Sequence, residues 1–135
     1  MKIVGLDGYN HTLKLDSAVR TTVSKPHARM RALLKSLFPL ERVYEEVTLL
    51  GTRTNKRPTT LFADFLIPGL SMIVEVDGAQ HKNYNKFFHG NKDGFRRALA
   101  RDKDKAEWCE LNHITLIRVD EHESEEQWAS LIIKG

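Results

Sequence analysis

The sequence predicts an α/β protein of the α+β type, with a mixed central sheet of about four strands flanked by helices. Three segments rich in β-branched and aromatic residues follow one another between positions 44 and 76, with turn residues between them, which is typical of a meander. Helical patterns lie before and after this meander, and one further strand separates the last two helices. The predicted order is therefore α-β-β-β-α-β-α.

The chain is 135 residues long, and 41% of its residues are hydrophobic. This length suits one domain with its own core, and no repeat or interdomain linker divides the sequence. We therefore expect a single domain over residues 1–135. Residues 1–23 alternate weakly around the turn sequence DGYNH, which predicts an N-terminal arm or hairpin.

The boundaries of the helices and strands follow from local signals. Ser24 is a good N-cap with Pro26 in the first turn, so a helix should begin there and end at Pro39. Ser124 and Gln127 form a capping box for a closing helix. The apolar residues on one side of that helix are Trp128, Leu131 and Ile132. Strands are expected at Tyr44–Leu50, Thr60–Ile67, Met72–Val76 and Ile114–Val119.

Composition argues against a membrane or secreted protein. No apolar run approaches the roughly 18 residues needed to span a bilayer, and the N-terminal sequence lacks the apolar region of a secretory signal. The single cysteine, Cys109, cannot form an internal disulfide, and with His113 alone it makes a poor zinc site. We expect no membrane partner and a reducing, cytoplasmic location.

Positive charge is concentrated in two parts of the chain, although the formal net charge is only +3. Eight basic residues stand against three aspartates from Lys82 to Lys105, and the loop sequence GTRTNKRP carries three more. A basic side suits a polyanion such as the phosphate backbone of nucleic acid; a solvated charged surface is the alternative interpretation. The expected phosphate contacts are Arg53, Lys56, Arg57, Lys82, Lys86, Lys92, Arg96, Arg97 and Arg101.

Three carboxylates stand among apolar residues in two neighbouring strands, LFADFLI and MIVEVD. Glu75 and Asp77 share one face because strand side chains alternate, and an antiparallel turn at IPGLS would place Asp64 near Glu75. Three ionised carboxylates repel one another unless a divalent cation joins them. Oxygen ligands favour Mg²⁺, with Mn²⁺ as a substitute, over zinc. Exposed acids paired with surface lysines are the alternative.

A long helix is expected from about Asp93 to Leu111. Rotation by 100° per residue from Phe95 places Asp102 in the middle of an apolar stripe. The other members of this stripe are Leu99, Ala106 and Cys109. Lys105 lies about 60° from Asp102, where its stem can follow apolar surface while its amine reaches a polar pocket. We expect Asp102 and Lys105 to join the site, although a narrower stripe would leave Asp102 solvated.

Three histidines are candidate site residues. His81 follows Asp77 in the loop that leaves the acidic strand, and its near-neutral pKa suits phosphate binding, water positioning or proton transfer. His89 lies in the aromatic and basic sequence FFHGNK and is a candidate nucleic-acid contact, with a surface or packing role as the alternative. His27, at the margin of the first helix's apolar stripe, would border the site from the other side, with packing as the alternative role.

The motifs FADFLIP and IVEVDGAQH resemble the core of the PD-(D/E)xK nuclease superfamily, in particular its branch near the very-short-patch repair endonucleases and small phage and homing nucleases. In that pattern an Asp ends one strand and an acid-x-Lys triplet follows on the next, and Asp64 and Glu75 match the two acids. The resemblance extends over about residues 61 to 119. It includes a D-x-x-K-x-x-aromatic-Cys helix that is matched by Asp102, Lys105, Trp108 and Cys109.

The resemblance implies a restriction-endonuclease-like core and an endonuclease that hydrolyses phosphodiester bonds in DNA with Mg²⁺. The implied catalytic residues are Asp64, Glu75, Asp77, His81, Asp102 and Lys105, of which Asp64, Glu75 and Asp77 would bind the metal. Two positions depart from the pattern, because Asp77 stands where the lysine is expected and His27 stands where the first helix often carries an acid. His81 and Lys105 are therefore the candidates for the group that orients water.

The expected substrate follows from the kind of contact the basic residues make. Phosphate contacts position DNA without reading its sequence, which favours structure-selective cutting of branched, nicked or mismatched DNA, as in junction resolution or repair. Such an enzyme would act as a homodimer to cut two strands. A phage-encoded member would work in the bacterial host cell. The alternatives are a sequence-specific homing or restriction-type endonuclease and a catalytically inactive nucleic-acid-binding protein on the same scaffold.

Overall fold

The structure is a computed structural model that describes residues 1–16, 22–78 and 92–135, apart from the side chains of Lys92, Asp93 and Phe95. The elements of these ranges follow the predicted order after a short N-terminal hairpin. They are strands β1 (Lys2–Val4) and β2 (Asn10–Thr12), helix α1 (Lys25–Leu37), strands β3 (Tyr44–Leu49), β4 (Leu61–Ile67) and β5 (Met72–Asp77), helix α2 (Lys92–Leu111), strand β6 (Thr115–Asp120) and helix α3 (Glu125–Lys134).

A four-stranded mixed sheet in the order β3-β4-β5-β6 forms the centre of the fold. β4 runs antiparallel to β3 and to β5, whereas β5 and β6 are parallel. A parallel pair needs a crossover connection, and α2 lies in that connection. The predicted mixed α/β fold with about four strands is confirmed.

Helices cover both faces of this sheet. One apolar cluster joins α1 and α3 to one face, and its largest fully buried members are Met30, Leu34, Phe65, Ile67, Trp128 and Ile132. A second cluster joins α2 and the N-terminal hairpin to the other face through Ile3, Leu49, Ala63, Ile73, Trp108 and Cys109. The result is a three-layer arrangement with the sheet in the middle.

The alternation of faces is broken in the middle of β3 and β4. Glu46 has a left-handed φ of 50°, and the pairing of the two strands skips Glu46 and Asp64. Ala63 packs under α2, and strict alternation would put Phe65 there too, yet Phe65 packs under α1. A residue with positive φ changes the direction of the chain, which explains why the faces exchange at this level.

The N-terminal hairpin packs on the α2 side. β1 and β2 pair antiparallel, so the predicted hairpin is confirmed within residues 1–16. Asn112, just after α2, accepts a hydrogen bond from the N–H of Val4 at 2.7 Å and donates to the carbonyl of Val4 at 2.9 Å. At the hairpin turn, a Cβ on Gly5 would lie 2.6 Å from the Cα of Gly51, so this contact requires glycine.

The capping predictions are confirmed. The Ser24 hydroxyl accepts a hydrogen bond from the N–H of His27, and Ser124 with Gln127 forms the complete capping box of α3. On the predicted apolar side of α3, Trp128 and Ile132 are buried, whereas Leu131 is 42% exposed. Within the described ranges, no helix has the length and apolar character needed to cross a membrane.

The predicted stripe of α2 is displaced. Leu99 and Ala106 are exposed, while Ala98, Trp108 and Cys109 are buried. The reason is that the line of α2 facing the sheet passes through residues 98, 102, 105 and 109, which are spaced by three or four positions. Two of these four side chains are charged, and their charges are met by partners on the sheet.

Candidate functional site

Asp64 and Glu75 form a reciprocal pair where β4 and β5 separate. The last paired residues of the two strands are Phe65 and Val74. One level further, Glu75 Oε2 accepts a hydrogen bond from the N–H of Asp64 at 2.7 Å, and Asp64 Oδ2 accepts one from the N–H of Val76 at 2.9 Å. Carboxylates thus take the place of the next rungs of the ladder. The expected closeness of Asp64 and Glu75 is confirmed.

Glu75 is the more buried carboxylate of this pair, with a side chain that is only 3% exposed. Burial raises the pKa of Glu75, and the charge of Asp64 raises it further, while the ammonium of Lys105 acts in the opposite direction. Lys105 extends from α2 and contacts Glu75 Oε1 through its Nζ. The prediction that Lys105 reaches a polar pocket is confirmed.

Asp102 and Asp77 lie beside Arg118 of β6. Arg118 Nη1 is 2.7 Å from Asp102 Oδ1 and 3.7 Å from Asp77 Oδ2, and Nη2 donates to the carbonyl of Asp102 at 2.8 Å. Asp102 was expected to join the site together with Lys105. The structure pairs Asp102 with Arg118 of β6, the strand beside β5.

The fit of a divalent cation depends on which carboxylates stand together. Asp64 and Glu75 offer hard oxygen donors at one place, which suits Mg²⁺ or Mn²⁺. Asp77 does not complete a triad with them: within residues 1–16, 22–78 and 92–135, no three acidic, histidine or cysteine side chains are grouped closely enough to hold an ion. The donor chemistry therefore fits a cation at the Asp64–Glu75 pair.

Cys109 lies under the site, one turn beyond Lys105. Its side chain is buried, and burial raises the pKa of the thiol to about 12, with a further contribution from the charge of Glu75. Such a thiol is not a nucleophile at neutral pH. Cys109 is therefore a packing residue on the inner side of α2.

The basic loop between β3 and β4 is held at both ends by buried Thr52. Its hydroxyl donates to the carbonyl of Leu49 at 2.7 Å and accepts from the N–H of Leu61 at 2.9 Å. Arg57 is bound to Asp104 of α2, with its Nε 2.7 Å from Oδ2. The loop is thus fastened to the helix, and Arg57 has a structural partner besides any phosphate.

Two other basic side chains of this loop, Arg53 and Lys56, are exposed. They line a cavity of about 1030 Å³ between the loop, the hairpin turn and α2, whose wall also includes Tyr9, Asp104 and Glu107. On α2 the predicted phosphate contacts Arg96, Arg97 and Arg101 are also exposed. The predictions for His81, Lys82, Lys86 and His89, and for the side chain of Lys92, lie outside the described residues.

A further charged cluster lies on the α1 side of the sheet. His27 Nε2 is 2.6 Å from Glu45 Oε1, and Arg31 forms two hydrogen bonds of 2.8 Å with the same carboxylate. The ring of His27 also stacks on Phe65, with centroids 4.4 Å apart. Burial opposes ionisation, but the bonds from Arg31 and His27 outweigh it and lower the pKa of Glu45. Of the two roles considered for His27, this geometry supports packing.

The sequence analysis did not identify Arg118 or the contacts of His27 and Arg31 with Glu45. Arg118 is a charge inside the apolar strand TLIRVD, which is the same kind of signal that drew attention to Asp64 and Glu75. His27 and Arg31 are four residues apart on one side of α1, so both reach the same acid. Glu45 itself gives no signal, because its strand alternates irregularly.

The fold and site together define a mixed α/β protein with a carboxylate pair and an amine at the point where two central strands separate. The chain is 43% identical over 56 residues to "Uncharacterized protein 307L" of invertebrate iridescent virus 6, a match over 42% of this chain and 28% of that protein. It is 30% identical over 100 residues to "Uncharacterized protein 033L" of invertebrate iridescent virus 3, over 74% of this chain and 50% of that protein.

The matched regions of this chain thus cover at most half of the length of either viral relative. No family model matches the chain, and no solved structure matches it. The names of these relatives assign no activity. Any function must therefore be argued from the site.

Proposed function

We propose that this protein is a metal-dependent endonuclease that hydrolyses phosphodiester bonds in DNA. The observation that carries the proposal is the Asp64–Glu75 pair with the ammonium of Lys105 on it. Two hard anionic ligands beside one amine, at the open end of two separating strands, match what phosphodiester hydrolysis needs. A scaffold carboxylate would gain little from this arrangement, since burying Glu75 is unfavourable in itself.

The roles of the residues follow from their chemistry. A Mg²⁺ ion, when bound, supplies Lewis acidity at the scissile phosphate and favours ionisation of a water molecule. Asp64 and Glu75 would hold that ion, with Mn²⁺ as a substitute. The ammonium of Lys105 donates hydrogen bonds and positive charge where negative charge develops on the phosphate. Lys105 must then exchange its contact with Glu75 for one with substrate or water.

The position of Lys105 also supports membership of the PD-(D/E)xK superfamily. In that pattern the lysine stands two residues after the second acid, where this chain has Asp77. Lys105 supplies an amine to the same carboxylate from α2 instead. The departure in sequence is thus compensated in space. His81 remains a proposed catalytic residue, while Asp77 and Asp102, through their contacts with Arg118, would support the site without holding the ion.

Exposed basic side chains would bind DNA through its backbone phosphates. Arg53 and Lys56 are exposed on the loop, and Arg96, Arg97 and Arg101 are exposed on α2. Backbone contacts of this kind position a duplex without reading bases, so we propose selectivity for branched, nicked or mismatched DNA. A homodimer would allow two strands to be cut. The single cysteine suits work in a reducing compartment such as the cytoplasm.

Cleavage of a panel of end-labelled substrates tests the proposal. The panel contains plain duplex, a four-way junction, a flap and a mismatched duplex, each with Mg²⁺, Mn²⁺ or a chelator. Wild type should cut at least one branched or mismatched substrate, and only with a divalent cation. Glu75→Gln should lower the rate at least about 100-fold, because a neutral amide is a poor ligand for a hard cation.

Glu110→Gln is the matched control, because Glu110 is an exposed acid of α2. It should leave the cleavage rate within about twofold of wild type. Binding that weakens steeply between about 50 and 200 mM salt, with no cleavage under any condition, would instead identify a nucleic-acid-binding protein without catalysis. Cleavage of plain duplex at one sequence would favour the sequence-specific alternative.

A further inference from the structure

Arg118 occupies an unusual place for an arginine. β6 pairs in register with β5, so that Arg118 is the partner of Glu75, and both side chains point toward α2. Its neighbours on the same strand, Ile117 and Val119, point to the other face, where they are buried under α1 and α3. The cation thus lies beside the proposed catalytic carboxylate.

The guanidinium of Arg118 binds one turn of α2 in two ways. Nη2 donates to the main-chain carbonyl of Asp102, and Nη1 lies 2.7 Å from the carboxylate of the same residue. Nη1 is buried, and this contact is an ion pair without hydrogen-bond geometry. Asp77 Oδ2 at 3.7 Å adds a second negative charge. Arg118 therefore joins β6 to both the backbone and the side chain of a single helical position.

That helical position lies next to the one that carries the amine. Asp102 and Lys105 are three residues apart, so they share one side of α2. On the sheet below, their partners Arg118 and Glu75 are neighbours in register. Two ion pairs thus lie side by side between α2 and the sheet. In one pair the helix supplies the cation, and in the other it supplies the anion.

We infer that Arg118 is a positioning residue for the reaction: it fastens α2 to β6 through Asp102 and so holds the Lys105 ammonium in place at Glu75. This inference rests on the proposed function for its kinetic part. An arginine is needed because one planar fork reaches a carbonyl and a carboxylate together, whereas lysine supplies charge at a single point.

Cys109 provides a reporter of the position of α2 that does not depend on activity. It is the only cysteine of the chain, is buried, and lies one turn beyond Lys105 on the inner side of the helix. A thiol reagent reaches it only when α2 separates from the sheet. The charge of Arg118 lowers the pKa of this thiol, so removing Arg118 without moving α2 would slow labelling. Loosening of α2 would accelerate it instead.

Arg118→Met removes the charge and the donors but keeps much of the stem. We expect it to raise the labelling rate of Cys109 about tenfold. We also expect it to lower kcat for cleavage by about 10- to 100-fold, with KM within about twofold, as is typical of groups that orient a catalytic residue. Arg118→Lys should recover part of both effects. Asp102→Asn should act in the same direction, and the double variant should add little to either single one.

Arg29→Met is the matched control. Arg29 also pairs with a carboxylate, that of Glu125, and donates to two backbone carbonyls, but on the other side of the sheet. It should leave kcat and Cys109 labelling within about twofold of wild type. The inference is overturned if Arg118→Met labels as slowly as wild type, or if Arg29→Met has the same effects. Absence of cleavage by wild type would refute the proposed function, while the labelling rates would still decide the role of Arg118 in holding α2.

Discussion

The ammonium of Lys105 contacts Glu75 Oε1 although 30 residues of chain separate the two. Their elements, α2 and β5, are joined through the parallel crossover that leads to β6. A nearly enclosed carboxylate is thus given its counter-ion by a helix rather than by its own strand. The pair is the basis of the proposed chemistry, and it also affects stability.

Glu75→Gln should make the protein more stable at alkaline pH. The pKa of Glu75 is raised above its ordinary value of 4.5, mainly by burial, so its charge is less favourable in the folded than in the unfolded state. This penalty is absent below the ordinary pKa and develops as pH rises through the raised value. The neutral variant avoids it. We expect a melting temperature about 3 °C above that of wild type at pH 8.

Thermal melts of both proteins from about pH 4 to pH 9 measure this difference. The two curves should converge at the acid end, where Glu75 is protonated in both states. Glu110→Gln, which removes an exposed acid of α2, should show no pH-dependent difference of this kind. A Glu75→Gln variant that is less stable at pH 8 would mean that the ion pair with Lys105 outweighs the burial of the charge.

Thr52→Val should destabilise the fold by about 1–3 kcal/mol. The variant keeps the shape of the side chain but leaves the N–H of Leu61 and the carbonyl of Leu49 without their buried partner. Urea unfolding gives the change in the free energy of unfolding. Thr48→Val, at an exposed position of β3, is the matched control and should change it by less than about 0.5 kcal/mol. Equal effects at both positions would contradict this role for Thr52.

Arg57 and Asp104 should be energetically coupled. Their side chains are 12% and 29% exposed, so solvent screens this pair less than a surface ion pair. A double-mutant cycle with Arg57→Met and Asp104→Asn should give a coupling free energy of about 1 kcal/mol in urea unfolding. The more exposed pair Arg29 and Glu125 should give less than about 0.5 kcal/mol. A coupling near zero for the first pair would show that it does not fasten the loop to α2.

The exposed side chains of the loop should contribute to DNA binding through phosphate contacts. Arg53→Ala and Lys56→Ala should each weaken binding to all sequences and reduce the slope of log Kd against log salt by about one. Lys35→Ala removes an exposed lysine of α1 and should leave the slope unchanged. Fluorescence anisotropy over a salt series measures it. A slope that falls equally for Lys35→Ala would argue against a specific basic side.

The elements of the fold were predictable because their signals are local. Ser24 and Ser124 mark helix starts through bonds that reach only three residues ahead. The tight turn at residues 68–70 leaves the register of β4 and β5 little freedom, and for that reason the sequence could place Asp64 near Glu75. Short-range geometry was therefore enough to predict the Asp64–Glu75 pair of the candidate site.

The remaining contacts depend on how α2 lies on the sheet, which no local signal determines. A rotation of α2 by a fraction of a turn buries Ala98 in place of Leu99, and periodicity gave no indication that Asp102 would pair with Arg118. Arg57 and Asp104 are 47 positions apart, and their pairing depends on the same docking. Long-range pairings between charged side chains follow from tertiary packing, and periodicity alone does not contain them.

The left-handed residue Glu46 limits how the lengths of β3 and β4 can change during evolution. Loops on the surface accept insertions and deletions, but one residue gained or lost beside Glu46 would shift the pairing of β3 with β4 by one position, and Asp64 would lose its place opposite the left-handed residue. We expect related chains to vary in the length of their loops while keeping the residue count of β3 and β4. Substitutions there would be tolerated more readily than changes of length.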